Sequence, residues 1–211
     1  MFRRPVQLGA LAIVLALALT APALARSLRL VALGDSLTAG YGLPAGQGFP
    51  DVLARALKAK GWDVEVVNAG VSGDTAADGL ARFDWSVPAG ADALIVELGA
   101  NDMLRGADPA ATEVTLDHIL AKAKDAHLAT LLAGMVAAPN YGEDYKHRFD
   151  AIYPALAKKF AVTLYPFFLE GVAGHPDLQL NDGLHPNRQG VERIVDGMLP
   201  SVETVLGTVK R

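Results

Sequence analysis

The sequence contains no cysteine. That excludes disulfide bonds and a lipid carried on an N-terminal cysteine, so the fold has to be held by its core alone. There is no excess of basic residues. The 19 Lys and Arg face 23 Asp and Glu, for a net charge of −4 with no basic patch along the chain. That balance argues against a nucleic-acid partner. Internal repeats, low-complexity tracts and interdomain linkers are missing too, as is any H-x-x-x-H or paired His/Asp spacing. Neither a catalytic metal nor another cofactor is therefore expected.

The apolar run at the start is short. Leu8 to Leu19 covers 12 residues, whereas a bilayer span takes about 20. It follows the basic pair Arg3 and Arg4 and precedes Ala23-Leu24-Ala25, a small-x-small cleavage site. Residues 1–25 therefore read as a secretory signal peptide, with Pro22 breaking the helix before the cut. The competing reading is an uncleaved anchor helix. Cleavage before Arg26 would leave a single domain over residues 26–211 with a net charge of −6 and no stable membrane anchor, in the periplasm or outside the cell.

What remains is rich in short apolar runs alternating with amphipathic stretches. Strands are expected over Leu28 to Leu33, Val64 to Val67, Ala91 to Leu98, Leu128 to Val136 and Ala161 to Tyr165. Helices are expected over Phe49 to Lys60, Thr75 to Phe83, Pro109 to Ala126, Tyr145 to Phe160 apart from Pro154, and Asn187 to Leu206 with a kink or interruption at Pro200. Strands that alternate with helices and read as nearly continuous apolar runs form a parallel sheet covered on both faces. Ligands of such sheets bind beyond the carboxyl ends of the strands.

Four short segments fall at or beyond such ends. Ser36 lies in Gly34-Asp35-Ser36-Leu37-Thr38 and Gly70 in Asn68-Ala69-Gly70-Val71-Ser72-Gly73-Asp74. Asn101 lies in Gly99-Ala100-Asn101-Asp102, and His185 in Asp182-Gly183-Leu184-His185-Pro186. They supply a hydroxyl, an imidazole, a carboxylate and an amide, the groups that acyl transfer through a serine ester requires. The chain is not a G-x-S-x-G hydrolase, because Thr38 replaces the second glycine. His185 is preferred as the base over His175 of His175-Pro176-Asp177. Asp182, three residues before His185, can hold one imidazole nitrogen and leave the other to Ser36. His118, His127 and His147 read as surface residues, and Asp35, Asp74 and Asp102 as groups that pin loops.

The blocks GDSLTAGYG, NAGVSGDT, GANDMLRG and DGLHPN, in this order, resemble the SGNH hydrolases, the GDSL-type esterases and lipases. GDSLTAGYG and Ala138-Pro139-Asn140-Tyr141-Gly142 resemble the bacterial branch of thioesterase I/lysophospholipases and arylesterases. The resemblance spans Leu30 to Val195 and implies a flavodoxin-like three-layer α/β/α sandwich with a parallel sheet of about five strands in order 2-1-3-4-5. It implies Ser36, Asp182 and His185 as the catalytic triad. It also implies Ser36 N–H, Gly70 N–H and the Asn101 amide as the oxyanion hole, and a small-molecule or lipid ester as substrate. Met103, Leu104, Pro139, Tyr141 and Tyr145 sit on the loops after the third and fourth strands. They are placed either to line an acyl groove or to pack those loops, and both readings stand. Two other functions fit the same parts: a carbohydrate O-acetylesterase and a non-catalytic acyl-binding protein.

Overall fold

The computed structural model describes residues 26–210; the leader expected over residues 1–25 lies outside them. Five strands carry the fold: β1 (Leu28–Gly34), β2 (Val64–Gly70), β3 (Ala93–Glu97), β4 (Ala129–Ala133) and β5 (Thr163–Tyr165). All neighbours are parallel, in the order β2-β1-β3-β4-β5. The central strands are buried throughout. Leu30 to Leu33, Ala93 to Val96 and Leu131 to Ala133 are all within 1% of zero exposure, which is why they read as unbroken apolar runs. Val64 to Gly70 forms an edge strand, only partly buried.

Helices cover both faces. On one lie α1 (Ser36–Ala39), α2 (Phe49–Ala59) and α9 (Arg188–Gly207); on the other lie α3 (Ala76–Ala81), α6 (Pro109–Asp125), α7 (Glu143–Asp150) and α8 (Ile152–Phe160). Two shorter helices, α4 (Phe83–Ser86) and α5 (Ala100–Leu104), complete the set. Each long helix buries one stripe. In α2 it is Phe49, Leu53 and Leu57; in α9 it is Val191, Ile194, Val195, Met198, Val202 and Val205. Such side chains contribute about 1.5–3 kcal/mol each on full burial, and with no disulfide they carry the stability of the domain.

Two expectations about helices change. The stretch from Tyr145 to Phe160 is two helices that meet at Ala151, and Pro154 falls in the first turn of the second, where its missing N–H has no intrahelical partner to lose. The last helix is not interrupted at Pro200. That proline is exposed, while Met198 and Val202 on either side of it are buried and hold both turns to the core. No helix among the described residues is long and apolar enough to cross a membrane.

Candidate active site

Strand register builds one edge. Gly34 pairs with Gly70 and with Glu97, and Glu97 pairs with Ala133. The turns that follow β1, β2 and β3 therefore open on the same side of the sheet. β1 hands over to α1 through Asp35, whose carboxylate caps the helix by accepting from Leu37 N at 2.9 Å. Ser36 is the first residue of α1. The turn is packed so tightly that a Cβ on Gly34 would lie 2.1 Å from Thr38 Oγ1 and 2.5 Å from Glu97 Oε2.

The loop before α9 brings the histidine across. Asp182 Oδ1 accepts from Leu184 N at 2.9 Å and from His185 N at 3.0 Å, closing a tight turn around Gly183 at φ 68°. Asp182 Oδ2 then lies 2.7 Å from His185 Nδ1, and His185 Nε2 lies 2.8 Å from Ser36 Oγ. The N–H donors of His185 and Leu184, with the imidazole behind them, draw the Asp182 carboxyl down to about 2. It is therefore ionised near neutral pH. Asn187 anchors the far end of the loop, capping α9 through Gly190 N and donating to Asp177 O and Gln179 O. His175 is exposed and makes no side-chain hydrogen bond within the described residues. His118, His127 and His147 are exposed as well.

Beneath the serine lies a buried polar layer. Asn101, in α5, donates through Nδ2 to Asp35 Oδ2 and to Asp74 O, both at 3.0 Å. Asp35 and Glu97 are fully buried. Burial lifts the Asp35 carboxyl to about 6, against the pull of Leu37 N–H, the His185 imidazole and the Asn101 amide. Burial, reinforced by the Asp35 carboxylate, holds Glu97 well above the usual carboxylate range. Glu97 Oε2 accepts from Thr38 Oγ1 at 2.6 Å, while Oε1 has no hydrogen-bond partner among the described residues. Arg82 closes the layer from the β2 side. It is 6% exposed, pairs with Asp74 at 2.5 Å and donates to Gly34 O, Ala69 O and Ser86 Oγ. Asp102 receives Ala76 N and Thr112 Oγ1. The three aspartates read as loop pins do hold loops.

Above the serine opens a cavity of about 480 Å³, lined by Leu37, Tyr41, Met103, Leu104, Leu169 and Leu184 around Ser36, Asn101 and His185, with Ser72 and Gly73 at one wall. The size suits a small organic ligand. Met103 and Leu104 reach it. Pro139, Tyr141 and Tyr145 do not, and take the loop-packing alternative. The two tyrosine rings stack at 5.1 Å, and their hydroxyls donate to Leu104 O and Ala107 O, tying the loop after α5 to α7.

Gly70 requires a correction. It does not line the cavity, and its N–H is held by Asn68 Oδ1 at 2.9 Å. It is glycine because a Cβ there would lie 2.3 Å from Ala39 N, so its smallness lets β2 pack on α1. Gly73, three residues on, does line the cavity. It has φ 90°, and its N–H has no partner within the described residues, like that of Ser36. The sequence signal for Gly73 is the Ser72-Gly73-Asp74 turn, which lies beyond the strand end rather than at it.

A larger recess of about 880 Å³ opens at the opposite end of the sheet, among the residues that begin β3, β4 and β5. It holds no paired nucleophile and base. No group of three or more His, Asp or Glu close enough to hold a metal occurs among the described residues.

Residues 32–193 match the model of the GDSL-like Lipase/Acylhydrolase family. The chain belongs to this family. Its relatives include the esterase TesA of Pseudomonas aeruginosa, 40% identical over 94% of this chain and 96% of that protein. Thioesterase 1/protease 1/lysophospholipase L1 of Escherichia coli K12 is 42% identical over 84% of each chain. Among solved structures, the SGNH-hydrolase family esterase AlinE4 is 44% identical and superposes with a TM-score of 0.73, over 86% of this chain and 98% of that one. The chain is thus an SGNH hydrolase, an ester-cleaving enzyme of the serine type, and it shares with these relatives the parallel five-stranded sheet in order 2-1-3-4-5.

Proposed function

We propose that this SGNH hydrolase is an exported single-domain esterase that works through a Ser36 acyl-enzyme. The observation that carries the reading is the unbroken line from Asp182 Oδ2 to His185 Nδ1 and from Nε2 to Ser36 Oγ, at 2.7 and 2.8 Å, at the mouth of an apolar cavity. His185 takes the Ser36 proton as Oγ attacks the ester carbonyl, and Asp182 holds the imidazole tautomer and stabilises its cation. The oxyanion is met by Ser36 N–H, Gly73 N–H and the Asn101 amide, which gives up its bond to Asp74 O as the negative charge forms. His185 then protonates the leaving alcohol or thiol, and water activated by the same imidazole releases the acid.

The leucine and methionine lining of the cavity supports an acyl chain, in aryl or alkyl esters, lysophospholipids or acyl thioesters, over acetylated sugars. Export through the leader in residues 1–25 would place the enzyme in the periplasm or outside the cell, away from acyl-CoA.

Fluorophosphonate labelling tests the nucleophile. The wild type is expected to take up one label, on Ser36. Ser36→Ala is expected to take up none and to lose ester hydrolysis while keeping its melting temperature. A labelled Ser36→Ala variant, or one with more than a small fraction of wild-type turnover, overturns the assignment.

A further inference from the structure

Tyr41 stands in the cavity without a task in the reaction as written. Its ring lies against the His185 imidazole, with centroids 4.5 Å apart and planes tilted by 36°. It is 53% exposed. Its hydroxyl has no hydrogen-bond partner within the described residues.

The backbone fixes where this ring sits. Tyr41 N and Gly40 N both donate to Ser36 O, at 3.1 and 3.2 Å. The residue is thus tied by its main chain to the nucleophile. Gly40 and Gly42 flank it at φ 83° and 72°, a conformation other residues rarely adopt. A Cβ on Gly42 would lie 2.7 Å from Leu180 Cδ1, and Leu180 N donates to His185 O at 2.8 Å. The Tyr41 turn and the His185 loop are therefore packed as one unit.

Chemistry assigns a role to that place. His185 Nε2 receives the Ser36 proton and must return it to the leaving group, so the leaving oxygen lies on the imidazole side of Ser36 Oγ. The carbonyl oxygen turns toward Asn101 and Gly73. Of the apolar lining, Met103 and Leu104 share helix α5 with Asn101, while the Tyr41 ring lies against the imidazole and Leu184 directly precedes His185 in the chain. Among the described residues no lysine or arginine lines the cavity to hold a charged leaving group by an ion pair.

We propose that Tyr41 is the platform for the leaving group and that it selects flat, uncharged aryl alcohols. This rests on the Ser36 esterase reading. In the step concerned, the Ser36 Oγ–carbonyl bond forms and the carbonyl–phenoxy bond breaks. The proton taken from Ser36 passes through His185 to the phenol oxygen. The phenol leaves against the open part of the Tyr41 ring, where aromatic pairs gain contact beyond simple burial.

The test compares phenyl butanoate with cyclohexyl butanoate, which share an acyl group. The intrinsic reactivity of each ester cancels when a variant is divided by the wild type. Tyr41→Leu is expected to lower the phenyl-to-cyclohexyl ratio of kcat/KM by about fivefold, chiefly through KM for the phenyl ester. Tyr41→Phe is expected to keep the wild-type ratio, and Tyr41→Trp to keep or raise it. A ratio unchanged in Tyr41→Leu, with both esters slowed alike, would make Tyr41 only a support for His185 and overturn the proposal. So would a ratio lost in Tyr41→Trp, a variant that covers the case of a poorly folding Tyr41→Leu. Failure of the esterase reading looks different: the Ser36→Ala variant would then hydrolyse both esters like the wild type.

Discussion

At the scale of single residues, glycine separates packing from chemistry. Gly70 and Gly73 lie three apart in one segment, and a glycine after a strand suits a close backbone approach in either case. The sequence could not tell them apart, because the difference is one of direction. The Gly70 N–H is held by Asn68, whereas Gly73 lines the cavity and its N–H has no partner within the described residues. Their alanine variants are expected to fail in different ways. Gly73→Ala meets no atom within 4 Å but forces a Cβ onto a residue at φ 90°. Its backbone should swing away, lowering kcat by about 10-fold or more with little change in melting temperature. Gly70→Ala drives a Cβ into Ala39 backbone and should destabilise the domain by about 1–3 kcal/mol, the range for overpacking. Chemical denaturation beside steady-state kinetics reads both. A stable, slow Gly70→Ala and an unstable, fully active Gly73→Ala would restore Gly70 to the oxyanion hole. Ser36, Asp182, His185 and Asn101, which the structure brings to one site, stand out in the sequence because each is a chemically distinctive residue beside a strand or turn signal. Tyr41 and Leu184 do not, although both stand inside the quoted blocks, since nothing local says that an apolar ring turns toward a serine 5 residues away.

At the scale of elements, the strands and helices were legible from periodicity, while their joints were not. The β1, β3 and β4 runs are apolar because both faces are covered. The breaks at Ala151 and the continuity through Pro200 depend on which neighbours are buried, a tertiary fact. Arg82 is the clearest omission. It sits between α3 and α4 with no motif around it, yet it ties the carbonyl ends of β1 and β2, through Gly34 O and Ala69 O, to the Asp74 carboxylate. Those strand ends carry the turns that hold Ser36 and Gly73, so the guanidinium ties together the turns of the proposed nucleophile and the proposed oxyanion donor. A lysine keeps the charge but lacks the planar fork that serves four acceptors at once. Arg82→Lys is therefore expected to cost about 2–4 kcal/mol in urea unfolding, because buried acceptors lose their donors. It should also slow turnover of a soluble ester at temperatures where the variant is folded. A variant as stable as the wild type would show that the strand ends hold without it.

At the scale of the whole molecule, the catalytic edge stands on a buried acid layer that works against the fold. Asp35 is fully buried, with one carboxyl oxygen accepting from Leu37 N and the other from Asn101, and burial raises its carboxyl to about 6. A carboxyl whose value is higher folded than unfolded binds its proton more tightly in the native state. It contributes stability below about 4, the unfolded value, and that stability is lost as pH rises toward 6. Asp182 has the opposite sign. Its folded value of about 2 contributes stability above about 4 that is lost as pH falls. That contribution is small, since the side chain is 35% exposed and solvent screens it. The layer as a whole should therefore make the domain lose stability between pH 4 and 6, where most proteins level off or gain. Asp35→Asn separates the cause. It cannot ionise, so its unfolding free energy should stay flatter over that interval and exceed the wild-type profile increasingly toward pH 7, unless the lost acceptor for Asn101 offsets the gain by a constant amount. The slope, not the absolute value, carries the argument. Urea midpoints at half-unit pH steps from 4 to 7 measure it for both proteins. Parallel profiles would show that Asp35 titrates at its ordinary value and that the polar layer costs the fold nothing. The same variant should lose most of its turnover at every pH, because an amide in place of the carboxylate sets a donor against the Asn101 donor and turns that side chain out of the oxyanion hole.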